Sequence, residues 1–113
     1  MKTIFKNIEA AKPVDLASMV EVRSGEVVSR TLAQTPGANV TLFAFSKGEA
    51  ISSHVSDGDA LITVLEGEGL ITVGEEQFRV KAGESILMPE NIPHAVDAEQ
   101  DFKMFLLVVF PKA

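Results

Sequence analysis

The chain has 113 residues, no cysteine and a formal net charge of −6, from 16 acidic and 10 basic residues. A length in this range predicts one domain with one hydrophobic core. The acidic balance and the lack of a Lys/Arg cluster argue against a nucleic-acid partner, and the lack of cysteine excludes disulfides and thiolate metal ligands.

The sequence contains no segment typical of export or membrane insertion. Residues 1–6 lack the apolar core and the small-residue cleavage site of a secretory signal. The longest apolar run, 105–110, has six residues, whereas a transmembrane helix needs ~20. We therefore expect a soluble, cytoplasmic protein without a membrane partner.

The first 19 residues are the least regular part of the chain. Pro13 interrupts any helix there, and residues 12–15 are typical of an extended or turn segment. A short helical turn is expected at 15–19. We therefore predict an irregular N-terminal segment over residues 1–19, followed by a β-barrel that occupies residues 20–113.

From residue 20 onward, short apolar stretches alternate with turn signals. Turns that contain Gly, Pro, Asn or Asp recur every eight to twelve residues, and residues 35–39 are the clearest example. The predicted strands are 27–32, 40–45, 50–55, 60–66, 70–73, 77–80, 85–88, one that follows Pro93 and 102–110. Because no ten-residue amphipathic helix interrupts this series, the chain is predicted to be an all-β sandwich or barrel.

Two of these strands, 40–45 and 102–110, are apolar on both faces. A strand buried on one face only should alternate apolar and polar residues. Either the N-terminal segment covers the outer face, or a second copy of the chain covers it in a homodimer. Both explanations can hold together, and we expect a homodimer.

Two motifs flank the middle of the chain. Residues 48–67 follow the pattern G-x5-H-x-S-x3-A-x6-G, and residues 83–98 follow G-x5-P-x-N-x2-H-x3-A. They resemble the two motifs of the cupin superfamily, G-x5-H-x-H-x3,4-E-x6-G and G-x5-P-x-G-x2-H-x3-N. The sequences of residues 52–60 and 88–95 are similar to those of small stand-alone, RmlC-like bacterial cupins without a settled activity. The resemblance implies a jelly-roll barrel (a double-stranded β-helix), a dimer and a ligand pocket.

The resemblance also implies a metal site that has lost half of its ligands. In metal-binding cupins, two histidines and a glutamate of the first motif and one histidine of the second hold a divalent ion. Here His54 and His94 occupy two of these positions, while Ser56 and Ala60 stand at the other two. At most, the resemblance implies a weakly held Zn, Ni, Mn or Fe ion on His54 and His94.

Strand alternation supports a shared pocket without reference to the family. Ser52, His54 and Ser56 are spaced at i, i+2 and i+4, which places them on one face of a strand. The plainer alternative is that both histidines are structural and bond to backbone carbonyls. Asp57 and Asp59 are interpreted as turn residues.

The leading hypothesis is a protein that binds a small molecule in a largely apolar pocket, with His54 and His94 as polar anchors beside Ser52 and Ser56. One alternative is an enzyme, either a metal-dependent dioxygenase or an isomerase-like protein in which His94 is the general base. Another is a structural or interaction protein with a vestigial pocket. The motif also predicts tight turns at Gly83 and Asn91, with Asn91 left-handed.

Overall fold

The computed structural model describes residues 4–111, and over that range it contains nine strands and one short 3-10 helix. The 3-10 helix, Leu16–Met19, begins after Asp15, whose carboxylate accepts a hydrogen bond from the Ala17 amide at 3.2 Å. The strands are β1 (Val27–Gln34), β2 (Ala38–Phe45), β3 (Ala50–His54), β4 (Asp59–Glu66), β5 (Glu68–Val73), β6 (Glu76–Lys81), β7 (Ser85–Met88), β8 (His94–Asp97) and β9 (Phe102–Val109).

The strands form two antiparallel sheets that face each other. The larger sheet has the order β1-β2-β9-β4-β7, and the smaller has the order β3-β8-β5-β6. The chain crosses between the sheets after β2, β3, β4, β6, β7 and β8, so the two sheets close into a jelly-roll barrel. This confirms the predicted fold class. In the described part of the chain, no helix is long and apolar enough to cross a membrane.

Each strand predicted from the sequence is present, with ends that lie within two residues of the prediction. The predicted left-handed turn at Asn91 is also present, with φ +63°, and Gly83 has φ +89°. Positive φ at Asn91 is tolerated because the asparagine side chain adapts to this region better than most.

The main core lies between the two sheets. Its fully buried side chains include Phe45, Ile62, Ile71 and Phe102. The rings of Phe45 and Phe102 stack with centroids 4.7 Å apart and planes 9° apart. Burial of large apolar side chains supplies most of the stabilisation of such a barrel.

A second apolar cluster lies on the outer face of the five-stranded sheet. Leu42 is completely buried there, in a cluster with Leu16 and Met19 of the N-terminal segment and with Val20, which follows it. That segment is held by a hydrogen bond from the Lys6 amide to the Leu32 carbonyl of β1, at 2.7 Å. The N-terminal segment therefore covers the outer face of β2, which is one of the two explanations proposed for its apolar residues on both faces.

Candidate functional site

The two histidines of the chain are cross-strand partners. His54 at the end of β3 lies opposite His94 at the start of β8, and Ile51 lies opposite Val96. Between these two pairs, Ser52 and Ser53 of β3 lie opposite Ala95 of β8 alone, which is the signature of a β-bulge. The bulge turns both Ile51 and His54 toward the space between the sheets, where strict alternation would turn only one of them.

The imidazole rings of His54 and His94 contact each other edge to face. Their centroids are 4.3 Å apart and their planes meet at 66°. His54 Nδ1 lies 3.0 Å from the carbonyl oxygen of Ser52, and His94 Nδ1 lies 3.2 Å from that of Ile92. Since a carbonyl oxygen only accepts, each Nδ1 carries the hydrogen, and each neutral ring keeps the lone pair on Nε2.

The two rings differ in burial and in electrostatics. His94 is only 4% exposed, whereas His54 is exposed at the mouth of the barrel. Burial lowers the pKa of His94, the bond to the Ile92 carbonyl opposes that shift, and the charge of a protonated His54 would lower the pKa further. His94 is therefore a neutral hydrogen-bond acceptor at neutral pH.

A cavity of about 580 Å³ extends from the two imidazoles into the barrel. This volume falls in the range of pockets that enclose small organic ligands. Its walls are largely apolar and come from both sheets, with Phe43, Ile51, Ile62, Met88, Met104 and Leu106 among the lining residues. The cavity can enclose an apolar molecule and offer it the imidazole Nε2 atoms.

Two hydrogen bonds and a close packing contact hold the mouth of the cavity. The Asn91 amide donates to the Ser56 carbonyl at 2.8 Å, and the Glu90 amide donates to the Asp59 carboxylate at 2.9 Å. Gly58 packs so close to the end of β9 that a Cβ would lie 2.7 Å from the Val109 carbonyl oxygen. The two hydrogen bonds join the loop after β3 and the start of β4 to the loop after β7, so the two motifs form one rim.

The structure brings most of the predicted site residues together. His54, His94 and Ser56 line the cavity, and so does Ala60. Ser52 does not line it, because the bulge between Ile51 and His54 breaks the i, i+2 alternation from which its position was predicted. Ser52 is exposed and reaches the site only through its carbonyl, which orients the His54 ring.

Asn39 is a cavity residue that the sequence interpretation missed. The turn signals at 35–39 include Asn39, but it lies in β2 and lines the cavity on the wall formed by the five-stranded sheet. Its Oδ1 atom is buried and has no hydrogen-bond partner among the described residues. The available signal was its spacing of four residues from Phe43, which puts both side chains on the same face of β2.

The side chains around the two imidazoles do not fit a firmly bound metal ion. Divalent transition ions usually take three or four protein ligands. Residues 4–111 contain no group of three or more His, Cys, Asp or Glu residues that could hold one. Ala60 contributes only a methyl group where the resemblance places a glutamate. Among the described residues, two imidazoles are therefore the ligands that this position offers to a metal ion. We derive no chemistry through a metal.

The fold and the site define a class of small barrel proteins: a jelly-roll barrel with two histidines at the mouth of an internal cavity. Comparison with known protein families gives the same class. The family described as the cupin domain matches residues 41–110, more than half of the chain. The chain therefore belongs to the cupin family. Among curated proteins, none matches it.

Three solved structures illustrate what the chain is similar to. The conserved SPY1581 protein of unknown function from Streptococcus pyogenes is 42% identical, with a TM-score of 0.96, over 99% of this chain and 98% of that one. A cupin superfamily protein (DSY2733) from Desulfitobacterium hafniense DCB-2 is 31% identical, with a TM-score of 0.89 and coverage of 94% and 97%. A cupin 2 conserved barrel domain protein from Leptotrichia buccalis is 47% identical, with a TM-score of 0.84, over 85% of this chain and 47% of that one.

Proposed function

We propose that this protein binds a small, largely apolar molecule inside the barrel, and that His54 and His94 anchor it through their Nε2 atoms. The observation that carries the proposal is the pair of rings 4.3 Å apart, each with its Nδ1 atom held by a backbone carbonyl. In each ring, the backbone carbonyl bonds only to Nδ1. A purely structural role for the two histidines would therefore leave the Nε2 atom of both rings without a function.

The burial of the site supports the same function. His94 is nearly inaccessible, although it is a polar side chain among Met88, Val96 and Met104. Placing a polar ring in such surroundings costs free energy unless its hydrogen-bonding capacity is used. A ligand group that donates a hydrogen bond to Nε2 would use the remaining capacity of the ring, and the apolar walls would take up the rest of the ligand.

The experiment is an NMR titration with 2-naphthol, a small aromatic alcohol, as the probe. We expect the imidazole ¹⁵N resonances of His54 and His94 to shift together with the methyl resonances of Met88 and Met104. His54→Ala and His94→Ala should each weaken binding while the protein stays folded. Ser52→Ala is the matched control, because this side chain lies on the same strand but outside the cavity, and it should leave binding unchanged.

The titration also separates the competing interpretations. Absence of any shift at Met88, Met104 and the imidazoles would favour a structural or interaction protein with a vestigial pocket. In a parallel titration, we expect Zn²⁺ or Ni²⁺ to bind weakly and to shift both rings together, with loss of binding in either histidine variant. Tight binding of one ion per chain would instead favour the metal-dependent alternative.

Acid–base catalysis on a bound ligand is a second candidate function, and the lowered pKa of His94 favours it. A ring that is neutral at pH 7 inside an apolar cavity can accept a proton from a carbon or oxygen acid. This function predicts exchange of a carbon-bound hydrogen of the bound ligand with deuterated solvent. The exchange should persist in a chelator and disappear in His94→Gln.

A further inference from the structure

The cavity contains hydrogen-bonding groups but no cationic side chain. Of the described residues that line it, none is lysine or arginine, and the one charged side chain is Asp57. Two smaller depressions near Phe110, beside the mouth, add the carboxylates of Asp59 and Glu90. An anionic ligand would therefore meet negative charge at the entrance and no positive partner inside, an unfavourable combination in a partly dry cavity.

The histidine wall presents acceptors. With Nδ1–H donated to a backbone carbonyl in both rings, each neutral imidazole can contribute only its Nε2 lone pair. Two acceptors side by side are matched by a ligand group that carries a hydrogen, such as a hydroxyl. A carboxylate or a carbonyl, which can only accept, would face these lone pairs without forming a bond.

The opposite wall carries the carboxamide of Asn39. Asn39 lies next to Val108 of β9, Val108 lies next to Ala60 of β4, and Ala60 lies next to Met88 of β7. All four line the cavity, so Asn39 is the polar end of an otherwise apolar row across the five-stranded sheet. No described group bonds to its buried Oδ1 atom, and a buried acceptor without a partner destabilises the protein.

A hydroxyl can satisfy this carboxamide in either orientation. The torsion about the Cβ–Cγ bond of asparagine is broad, so the side chain can turn its oxygen or its NH₂ group toward the cavity. A hydroxyl donates to the first and accepts from the second. The row that begins at Asn39 and the pair His54–His94 belong to different sheets, and facing sheets pack about 10 Å apart. We therefore assign the two anchors to two polar groups of one ligand.

We propose that the ligand is an uncharged, largely apolar molecule with two separated hydroxyl-type groups, one bound by His54 and His94 and the other by Asn39. This inference rests on the proposed function, because it assigns the ligand class of the same cavity. It adds Asn39 as a specificity-determining residue and it excludes carboxylic acids as the preferred ligand class.

The experiment compares four kinds of probe on the same aromatic frame: naphthalene, 2-naphthol, 2-naphthoate, and the 2,6 and 2,7 isomers of dihydroxynaphthalene. In the unaltered protein, at least one diol should bind about tenfold more tightly than 2-naphthol, the gain expected for one hydrogen bond to a buried group. We expect 2-naphthol to bind more tightly than naphthalene, and 2-naphthoate to bind at least about tenfold more weakly than 2-naphthol.

The variant Asn39→Leu isolates the second anchor. Leucine has a similar shape without hydrogen-bonding groups, so the ratio of diol affinity to 2-naphthol affinity should fall about tenfold in the variant, toward one. The melting temperature of the ligand-free variant should not fall, because no described hydrogen bond to the Asn39 side chain is lost. A structural role for Asn39 would lower that temperature and leave the diol advantage in place.

The outcomes distinguish this inference from the proposed function. If 2-naphthol binds but no diol gains affinity, or if the gain persists in Asn39→Leu, the inference about Asn39 is overturned and the proposed function stands. If 2-naphthoate binds as tightly as 2-naphthol or more tightly, the exclusion of carboxylic acids is overturned and the proposed function stands. If no probe enters the cavity, the proposed function itself fails. Should the leucine variant not fold, the probe series on the unaltered protein still decides the ligand class.

Discussion

The two sheets of the barrel are buried differently. The five-stranded sheet packs against the main core on one side, and on the other it carries Leu42 and Ala44 under the N-terminal segment. In the four-stranded sheet, β6 has one buried residue, Val80, and the edge strand β3 has none. Burial on both faces favours a stable platform, whereas an edge strand with one covered face tolerates irregularity.

This difference separates the stable part of the molecule from the variable part of the site. The five-stranded sheet supplies most of the apolar wall of the cavity, including Ile62 and Met104. The four-stranded sheet supplies both imidazoles, and one of them follows a bulge on the edge strand. Changes at the histidine wall should therefore alter ligand recognition at a smaller cost in stability than changes at the opposite wall.

The largest expected effect is the loss of a leucine from the outer face of the five-stranded sheet. Leu42→Ala should lower the free energy of unfolding by about 2–5 kcal/mol, because Leu42 is fully buried and the space would not refill. Leu70→Ala makes the same chemical change on the four-stranded sheet, where Leu70 is only partly buried, and should cost about 1 kcal/mol. Urea denaturation measures both. Equal losses would show that the two sheets contribute alike.

The next prediction concerns the part of the five-stranded sheet that the N-terminal segment leaves open. Leu87 on β7 and Val109 on β9 are 57% and 50% exposed. We expect this surface to be covered in a homodimer, with twice the 12.1 kDa mass of the chain in light scattering. Leu87→Asp should raise the dissociation constant at least tenfold, which is about 1.4 kcal/mol.

A matched control for the dimer is Val14→Asp, an exposed apolar residue in the N-terminal segment. It should leave the mass of the dimer unchanged. If the unaltered chain is monomeric at high concentration, the N-terminal segment alone explains the two-sided apolar strands.

The positions of the two histidines and of the turns were predictable because they depend on local spacing. The interval from Gly48 to His54 and the interval from Gly83 to His94 place each histidine at the rim of a barrel of this family, and the rings do converge. Positive φ at Asn91 and at Gly83 follows from the same turns. Local sequence also predicted each strand, since turn residues separate consecutive apolar stretches.

What the sequence did not reveal depends on pairing between distant strands. Ser52 was placed in the pocket by strict alternation, but the bulge appears only when β3 pairs with β8. Asn39 becomes a cavity residue because β2 pairs with β9, which lies more than 60 residues away along the chain. Strand alternation puts Asn39 on the same face of β2 as Phe43, but no local pattern encodes either pairing, so the sequence did not show that this face lines a cavity.

A smaller effect is expected at Gly83, in the turn that carries the chain from the four-stranded sheet to the five-stranded sheet. Gly83 has φ +89°, and a Cβ built there would meet nothing within 4 Å. Gly83→Val should therefore destabilise through backbone strain alone, by about 1 kcal/mol, and Gly83→Asn should cost less. An unchanged melting temperature for the valine variant would show that the turn relaxes, and that the connection between the sheets is not rigid.

The smallest expected effect is the dependence of stability on pH through His94. The folded-state pKa of His94 lies below its ordinary value of 6.5, chiefly because the ring is buried. As the pH falls below about 6.5, the unfolded chain therefore takes up a proton before the folded protein does, and the free energy of unfolding decreases. The stability that the neutral, buried ring contributes is fully present above that pH and is lost as the pH falls through the folded-state pKa.

Urea denaturation at several pH values between 7.5 and 5.0 measures this slope for the unaltered protein and for two variants. His94→Gln should flatten it, because the titrating group is gone. His54→Gln should retain most of it, because the burial of His94, rather than its neighbour, is the main cause of the shift. Parallel profiles for the unaltered protein and His94→Gln would contradict the assignment. If both variants flatten the profile equally, the protonation of the two rings is coupled. The pair, rather than His94 alone, would then set the pH dependence of stability.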